Sequence, residues 1–334
     1  MFCVHWKALG TTNQNVPLAE AATAVESRVP PRLSLRERLE YGVVRSVMAV
    51  FGALPRPAAR ALGAGVAMAL YRMLGRLRGV GQRNLELAFP EMDAASRDKL
   101  LREEFRSLGW QLAEFPRMAQ LTRESASEYI RYEGLENYLA ARDKGRGVFV
   151  LTAHLGAWEL SSFFHSLMGY PMSMVIRRLD NPAVDELVNG VRSMHGNRVL
   201  HKDDFARGLL TAMHRGETVG ILMDTNMTPP QGVFVPFFGV DACTASGLAR
   251  VALRTNAVVL PGFLLWEASE HRYVLHFGEE LTLERSGDNE RDIVANTALF
   301  TATLESWIRR YPGQWLWVHR RWKTRPEGGE KIYR

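Results

Sequence analysis

The chain has 334 residues, of which 46% are hydrophobic and 23% are charged. This composition excludes an intrinsically disordered chain, and the mean hydropathy of −0.15 argues against a polytopic membrane protein. The two cysteines, Cys3 and Cys243, are too few for a disulfide framework or a four-thiolate metal site, so a reducing compartment is expected.

Positive charge is concentrated near the N-terminus. Between Arg28 and Arg83 there are eleven arginines, no lysine and only two acidic residues, Glu37 and Glu40. This stretch carries a net charge of +9, against +6 for the whole chain, so one end of the molecule is basic. The expected partner of such a surface is a phosphate-rich membrane or a nucleic acid.

The N-terminal third is predicted to be helical. Residues 1–30 lack the features of a signal peptide and are expected to form a poorly ordered extension. Apolar residues recur at helical spacing over Leu33–Leu54, and a second helix is predicted over Ala58–Leu77. Arginines interrupt the first helix, which leaves it short of the roughly 18 apolar residues that span a bilayer. We interpret the pair as a basic hairpin that either packs into the core or lies on an anionic bilayer.

A further amphipathic helix is predicted over Ser96–Gln120, and then strands alternate with helices. Short apolar, β-branched runs predict buried strands at Gly147–Ala153, Met172–Ile176, Thr218–Met223, Ala257–Leu265 and Tyr273–Phe277. Helices are expected between or after them, at Ala183–Met194, Phe205–His214, Thr244–Arg254 and Asp292–Tyr311. This order predicts an α/β fold with a mainly parallel mixed sheet flanked by helices, and with ligands bound beyond the carboxyl ends of strands. The expected organisation is an extension (1–30), a basic helical region (31–120), an α/β domain (121–325) and a tail (326–334).

A histidine and a glutamate directly follow the first predicted strand of the sheet. His154 and Glu159 are five residues apart, about 140° around a continuous helix, so they would not meet on one. They can converge if His154 lies in a turn, which Gly156 would permit, and Glu159 lies in the first helical turn. A carboxylate bonded to one imidazole nitrogen leaves the other nitrogen as a base, which suits activation of a substrate hydroxyl. A packed histidine beside a helix-capping acid is the alternative.

The segment from His154 to Glu159 is one of six sequence blocks in which the chain resembles the bacterial lipid A late acyltransferases. These enzymes lie within the His-x4-Asp/Glu glycerolipid acyltransferase superfamily. The resemblance extends from about Leu35 to Lys323. The matching blocks are His154–Glu159, Arg83–Pro90, Arg177–Pro182, Arg192–Gly196, Gly232–Gly239 and Trp315–Lys323.

The resemblance implies roles for five residues. His154 would deprotonate an acceptor hydroxyl, and Glu159 would orient the histidine and balance its charge. Arg192, with Arg177 as a second cation, would stabilise the oxyanion or hold the phosphates of the donor. For either arginine, a salt bridge on a helix face is the alternative. Asp224 follows an apolar strand as a substrate-binding candidate or an ordinary turn residue, and the family's usual Asp-Gln is replaced here by Asp-Thr-Asn.

The expected activity is therefore transfer of a fatty acyl group from acyl carrier protein or coenzyme A to a glycolipid hydroxyl, at the cytoplasmic face of the inner membrane. No metal and no cofactor are expected, because the remaining histidines lack zinc-site spacing and no phosphate-binding glycine loop is present. Two alternatives stay open: an acyl thioester hydrolase with the same dyad, and a non-enzymatic basic module. The basic, tryptophan-rich tail favours core packing or a membrane interface over nucleic acid.

Overall fold

The computed structural model describes residues 33–201 and 205–333, so the expected extension over residues 1–30 lies outside the described residues. The described chain has the predicted α/β architecture, in which helices flank a mostly parallel sheet of seven strands, β1–β5, β8 and β9. A separate two-stranded hairpin consists of β6 and β7. The strands are β1 (Ile130–Glu133), β2 (Val148–Thr152), β3 (Ser173–Ile176), β4 (Arg198–His201), β5 (Thr218–Leu222), β6 (Gly232–Phe237), β7 (Val240–Ala245), β8 (Val258–Glu267) and β9 (Arg272–Phe277).

The helices account for most of the remaining chain. They are α1 (Leu35–Ala53), α2 (Arg56–Met73), α3 (Gly75–Ala88), α4 (Ala94–Glu114), α5 (Arg123–Ser127), α6 (Leu135–Asp143), α7 (Trp158–Leu167), α8 (Pro182–Arg192), α9 (Phe205–His214), α10 (Gly247–Thr255) and α11 (Asn289–Arg310). Several begin where the sequence supplies an N-cap, since a short polar side chain accepts a hydrogen bond from a free backbone N–H there. Ser34 and Glu37 form a capping box on α1, while Asn181 caps α8 and Asp288 caps α11.

The sheet has the strand order β1-β9-β8-β2-β5-β3-β4. Strands β8, β2, β5, β3 and β4 are mutually parallel, whereas β9 is antiparallel to β8 and parallel to β1. The central strand β2 is buried over its first four residues, as its continuous apolar run predicts. The carboxyl ends of β2 and β5 therefore lie side by side near the middle of the sheet.

The structure corrects several element boundaries. The second predicted helix ends at Met73, because the backbone of Leu74 is not helical (φ −93°, ψ 60°). A new helix begins at Gly75. The main packing partner of α2 is α4, whereas α1 packs chiefly on the 3-10 turn Phe115–Gln120 and on α8. The two helices of the expected hairpin therefore pack mainly on other elements and not on each other. Strands β1, β4, β6 and β7 were not predicted; β1 and β4 are only four residues long.

A close backbone approach joins α2 to α4. A methyl group placed on Gly63 would lie 2.1 Å from the carbonyl oxygen of Gly109, so both positions require the absence of a side chain. Nearby, Glu114 is buried and accepts a hydrogen bond from Arg56 at 2.9 Å, and Arg60 lies 3.8 Å from the same carboxylate. These contacts hold α2 against α4 within the basic helical region.

The aromatic tail packs into this core. Trp315, Trp317 and Trp322 are fully buried, and Trp307 is nearly so. Of the two readings of the tail, burial is the one the structure supports. Within residues 33–201 and 205–333, none of the helices combines the length and the apolar character that crossing a membrane requires.

Candidate active site

His154 and Asp224 lie together at the carboxyl ends of adjacent parallel strands. In the β2–β5 pairing, Thr152 is opposite Leu222, and the pairing continues through a hydrogen bond from Met223 N to the Thr152 carbonyl at 3.1 Å. Two residues further along each strand, the register brings His154 level with Asp224. Sheet register thus joins two side chains that are 70 positions apart in the sequence.

Both oxygens of the Asp224 carboxylate accept hydrogen bonds. Its Oδ1 accepts a hydrogen bond from His154 Nδ1 at 2.9 Å, and its Oδ2 accepts bonds from the His154 backbone N–H at 2.9 Å and from Trp315 Nε1 at 2.8 Å. Asp224 is 2% exposed, whereas the His154 side chain is 22% exposed. Because a carboxylate can only accept, Nδ1 carries a proton, and Nε2 is left as the basic nitrogen.

The electrostatic interaction between His154 and Asp224 favours the charged form of each side chain. Burial alone would lower the pKa of His154, but the charge and hydrogen bond of Asp224, with a smaller contribution from Glu159, raise it above the ordinary value of 6.5. Burial would raise the pKa of Asp224, but the charge of His154 and the hydrogen bonds from His154 and Trp315 lower it to about 2. Asp224 is therefore a carboxylate at any physiological pH.

Glu159 has a different partner from the one predicted. It lies in the first turn of α7, as expected, and Gly156 takes the predicted turn conformation (φ +67°). However, Glu159 forms no hydrogen bond or ion pair with His154 in the described part of the chain. Its carboxylate instead forms a two-pronged pair with Arg192, through Nε at 2.9 Å and through Nη2. The structure therefore does not show the predicted contact between His154 and Glu159, and the acid that binds His154 Nδ1 is Asp224.

Arg192 and Arg177, the two predicted cations, differ in their surroundings. Arg192 ends α8 with a side chain only 14% exposed and is paired to Glu159, a residue whose charge acts on His154. Arg177 follows β3, and its exposed guanidinium binds Asp180 at 2.6 Å. Among the described residues, no hydrogen bond or ion pair connects Arg177 to His154, Asp224 or Glu159.

The C-terminal tail closes one side of the site through contacts that sequence reasoning missed. Asn226 N–H donates to His319 Nε2 at 3.0 Å, and the Asn226 side chain exchanges two hydrogen bonds with Thr324, at 3.0 and 2.8 Å. Asn226 therefore anchors the loop after β5 to the tail, which gives a structural role to a position where the sequence departs from the family pattern. The available signal was the matching Trp315–Lys323 block itself.

His319 is held in one tautomer by this anchor. Since Nε2 accepts from a backbone N–H, the proton of the neutral ring lies on Nδ1. Burial lowers the pKa of His319, the charge of Asp224 opposes this, and the charge of His154 adds to it. The ring is thus neutral at neutral pH and within electrostatic reach of both members of the pair.

The family of the chain is shown by a match over most of its length. The sequence model described as "Bacterial lipid A biosynthesis acyltransferase" matches residues 30–324, which is most of the chain. The chain belongs to this family. It is an acyltransferase, and the resemblance recognised from the six sequence blocks is confirmed.

Three relatives from Escherichia coli (strain K12) show the range of the family. The chain is 31% identical to lipid A biosynthesis palmitoleoyltransferase over 282 residues, covering 84% of this chain and 90% of the relative. It is 30% identical to lipid A biosynthesis lauroyltransferase over 281 residues, with the same coverage. It is 24% identical to lipid A biosynthesis myristoyltransferase over 269 residues, covering 79% of this acyltransferase and 82% of the relative.

Proposed function

We propose that this acyltransferase moves a fatty acyl group from the thioester of acyl carrier protein or coenzyme A to a hydroxyl of a lipid A precursor or a related glycolipid. The observation that carries the mechanism is the His154–Asp224 pair, in which Nδ1 is bound to a buried carboxylate and Nε2 is left as the basic nitrogen. The acceptor class rests on the family and on the names of the relatives.

The reaction follows from the chemistry of this pair. His154 Nε2 takes the proton of the acceptor hydroxyl as its oxygen attacks the thioester carbonyl, and Asp224 stabilises the resulting imidazolium. The tetrahedral intermediate then reforms the carbonyl and breaks the carbon–sulfur bond. The departing thiolate receives the proton from His154, so the histidine is restored and the products are an ester and a thiol.

Arg192 is the cation that we assign to the oxyanion or to the phosphates of a substrate. Glu159 holds two of its nitrogens, while Nη1 makes only a 3.4 Å contact with Asn189 Oδ1. This leaves Nη1 with hydrogen-bonding capacity for a substrate oxygen. In this assignment Glu159 is a positioning residue that acts through Arg192, and not the partner of the base.

The proposed location is the cytoplasmic face of the inner membrane, where the enzyme binds peripherally to an anionic lipid surface. Acyl carrier protein and coenzyme A thioesters are cytoplasmic substrates, and a lipid acceptor has to be reached at a bilayer. The basic character of residues 28–83 suits both the phosphates of a membrane and an acidic carrier protein.

The test is acyl transfer from labelled acyl carrier protein or acyl-coenzyme A to a panel of lipid acceptors in detergent. The variants are His154→Ala and Asp224→Asn, with Asp241→Asn on the exposed hairpin as a matched control. We expect an acylated lipid from the wild type and the control, and a loss on the order of 10²–10⁴-fold in both site variants. Free fatty acid without acylated lipid would indicate the hydrolase instead, and wild-type turnover in His154→Ala would refute the mechanism.

A further inference from the structure

The C-terminal tail pairs through its backbone with the turn that carries His154. Leu316 N–H donates to the His154 carbonyl at 3.1 Å. One residue earlier in the tail, Trp315 forms an antiparallel bridge with Leu155. Main-chain contacts therefore fix the position of Trp315 relative to His154, and these contacts do not depend on the tryptophan side chain.

The side chain of Trp315 reaches from this bridge to the acid of the pair. Its Nε1 donates to Asp224 Oδ2 at 2.8 Å, and the two residues are only 1% and 2% exposed. Within residues 33–201 and 205–333, the other hydrogen bonds to this carboxylate come from the backbone and the ring of His154. In this part of the chain, Trp315 is thus the one donor to Asp224 that is not the histidine itself.

Aromatic packing holds the indole ring of Trp315 in place. The centroid of the ring lies 4.5 Å from that of Trp317 at an interplanar angle of 88°, and 5.6 Å from that of Phe237 at 73°. Such edge-to-face contacts are favourable between buried rings and fix their relative orientation. The indole N–H is therefore directed at Asp224 before any substrate binds, so this dipole does not have to reorganise during proton transfer.

We propose that Trp315 is a positioning residue for acyl transfer, whose indole N–H holds the Asp224 carboxylate and takes up part of the negative charge that this carboxylate presents to His154. The inference rests on the proposed function, in which His154 Nε2 is the base. A buried carboxylate that acted on the ring alone would favour the imidazolium, and a ring that is already protonated cannot accept the proton of an acceptor hydroxyl. An N–H that donates to the second carboxylate oxygen stabilises the same charge and leaves more of the ring neutral. The tail therefore adjusts the basicity of His154 as well as its orientation.

The titratable and charged groups that face the pair in the described parts of the chain are Glu159 on α7, and His319 and Arg321 in the tail. The charge of Glu159 acts on the histidine of the pair, Arg321 acts on the acid, and His319 acts on both. In the same parts of the chain, none of these three groups forms a side-chain hydrogen bond with His154 or Asp224. A substitution of the tryptophan leaves all three in place, so a change in the titration of His154 would report on the indole N–H.

The experiment measures the pKa of His154 by NMR titration of the full chain with isotope-labelled histidine, the signal being assigned by its absence from His154→Ala. Trp315→Phe removes the indole N–H and keeps an aromatic ring. Trp322→Phe is the matched control, because Trp322 is also fully buried with its ring 5.6 Å from that of Phe237, but donates its indole N–H to the Val240 carbonyl at 3.2 Å. Urea denaturation of both variants measures the loss of stability that each substitution causes.

We expect the pKa of His154 to be higher in Trp315→Phe than in wild type by about 0.5–1 pH unit, because the whole charge of Asp224 then acts on the ring. The acidic limb of the kcat/KM profile should move to higher pH by the same amount. On the plateau, kcat should fall about tenfold with little change in KM, because the acid that orients the ring is held less firmly. Trp322→Phe should lose stability but keep the wild-type pKa of His154 and the wild-type pH profile.

A second measurement uses wild type alone and does not require a folded variant. Because the indole of Trp315 and the ring of His154 bind the same carboxylate, the indole N–H resonance of Trp315 should shift with pH at the midpoint of the His154 titration. The indole resonance of Trp322 should not shift with that midpoint.

Three outcomes would overturn the proposal: an unchanged pKa of His154 in folded Trp315→Phe, an equal change in Trp322→Phe, or an indole resonance of Trp315 that does not follow the titration of His154. In the Asp224→Asn background, Trp315→Phe should no longer change the pKa of His154, and a shift of the original size there would also contradict the proposed route through the carboxylate. The NMR titrations require no substrate. An absence of acyl transfer by wild type would therefore refute the proposed function separately.

Discussion

Asp224 Oδ1 accepts a hydrogen bond from His154 Nδ1 at 2.9 Å, while Asp224 Oδ2 accepts one from the backbone N–H of the same histidine. One carboxylate therefore fixes both the backbone and the ring of His154, and the Trp315 indole N–H holds that carboxylate from the tail. Such a ring is pre-organised before substrate arrives, so no orientation has to be established in the transition state.

Replacing Asp224 by Asn should preserve the shape of the site and remove its charge. The amide can donate a hydrogen bond to Nδ1 and so stabilise the tautomer that carries its proton on Nε2. In that tautomer Nε2 cannot accept the proton of the acceptor hydroxyl. We expect kcat/KM to fall on the order of 10²–10⁴-fold with little change in KM, measured by steady-state acyl transfer. A fall of less than about threefold would mean that Asp224 does not orient the base.

The activity should increase with pH across the titration of His154. Only the neutral ring can accept a proton, and the carboxylates of Asp224 and Glu159 hold its pKa above 6.5 despite burial. The acidic limb of the kcat/KM profile should therefore have its midpoint above pH 6.5. In Asp224→Asn the residual activity should show a midpoint at lower pH, since burial persists and the main opposing charge is gone.

Glu159→Gln should act through Arg192. If the carboxylate serves to position the guanidinium, the double variant Glu159→Gln/Arg192→Gln should lose no more kcat/KM than the worse single variant. The pH midpoint should move less in Glu159→Gln than in Asp224→Asn, because Glu159 contributes less than Asp224 to the raised pKa of His154. Additive losses of kcat/KM, or a shift of the pH midpoint as large as that of Asp224→Asn, would indicate that Glu159 acts directly on the base.

Glu104 provides a stability test that does not depend on activity. It is buried, its Oε1 accepts a hydrogen bond from Val318 N–H at 3.2 Å, and its Oε2 has no hydrogen-bond partner among the residues that the structure describes. Burial raises its pKa well above 4.5. Since the folded state then holds a proton that the unfolded state releases, this residue lowers the free energy of unfolding as pH increases from 4.5 through its folded pKa. Urea denaturation of Glu104→Gln should show a stability advantage over wild type that grows from pH 5 to pH 8. An advantage independent of pH would contradict this account.

The contact between α2 and α4 predicts opposite outcomes for two glycines of one helix. Gly63→Ala places a methyl group against the Gly109 carbonyl and should lower the free energy of unfolding by about 1–3 kcal/mol. Gly65→Ala is the control, because its Cβ would meet nothing within 4 Å. That substitution should be neutral or stabilise by up to about 1 kcal/mol through helix propensity, as checked by urea titration of both variants.

The sequence by itself determined the class of fold and the position of most strands, and it indicated His154 as the residue that we propose as the base. Buried parallel strands appear as continuous apolar runs, so β2, β5 and β8 could be recognised within one or two residues. The turn at Gly156 and the placement of Glu159 in the first turn of α7 are likewise local properties, which short-range backbone geometry determines. The edge strands β1 and β4 were missed because four residues give too short a pattern to distinguish from a loop.

Only the tertiary structure decided which acid serves which partner. Glu159 is close to His154 in sequence, but the helix that begins at Trp158 directs it to Arg192, a residue that α8 supplies. Asp224 is 70 positions away, yet the β2–β5 register places it level with His154. Strand order and register depend on which apolar faces pack together across the whole sheet, and no local pattern in one sequence contains that information.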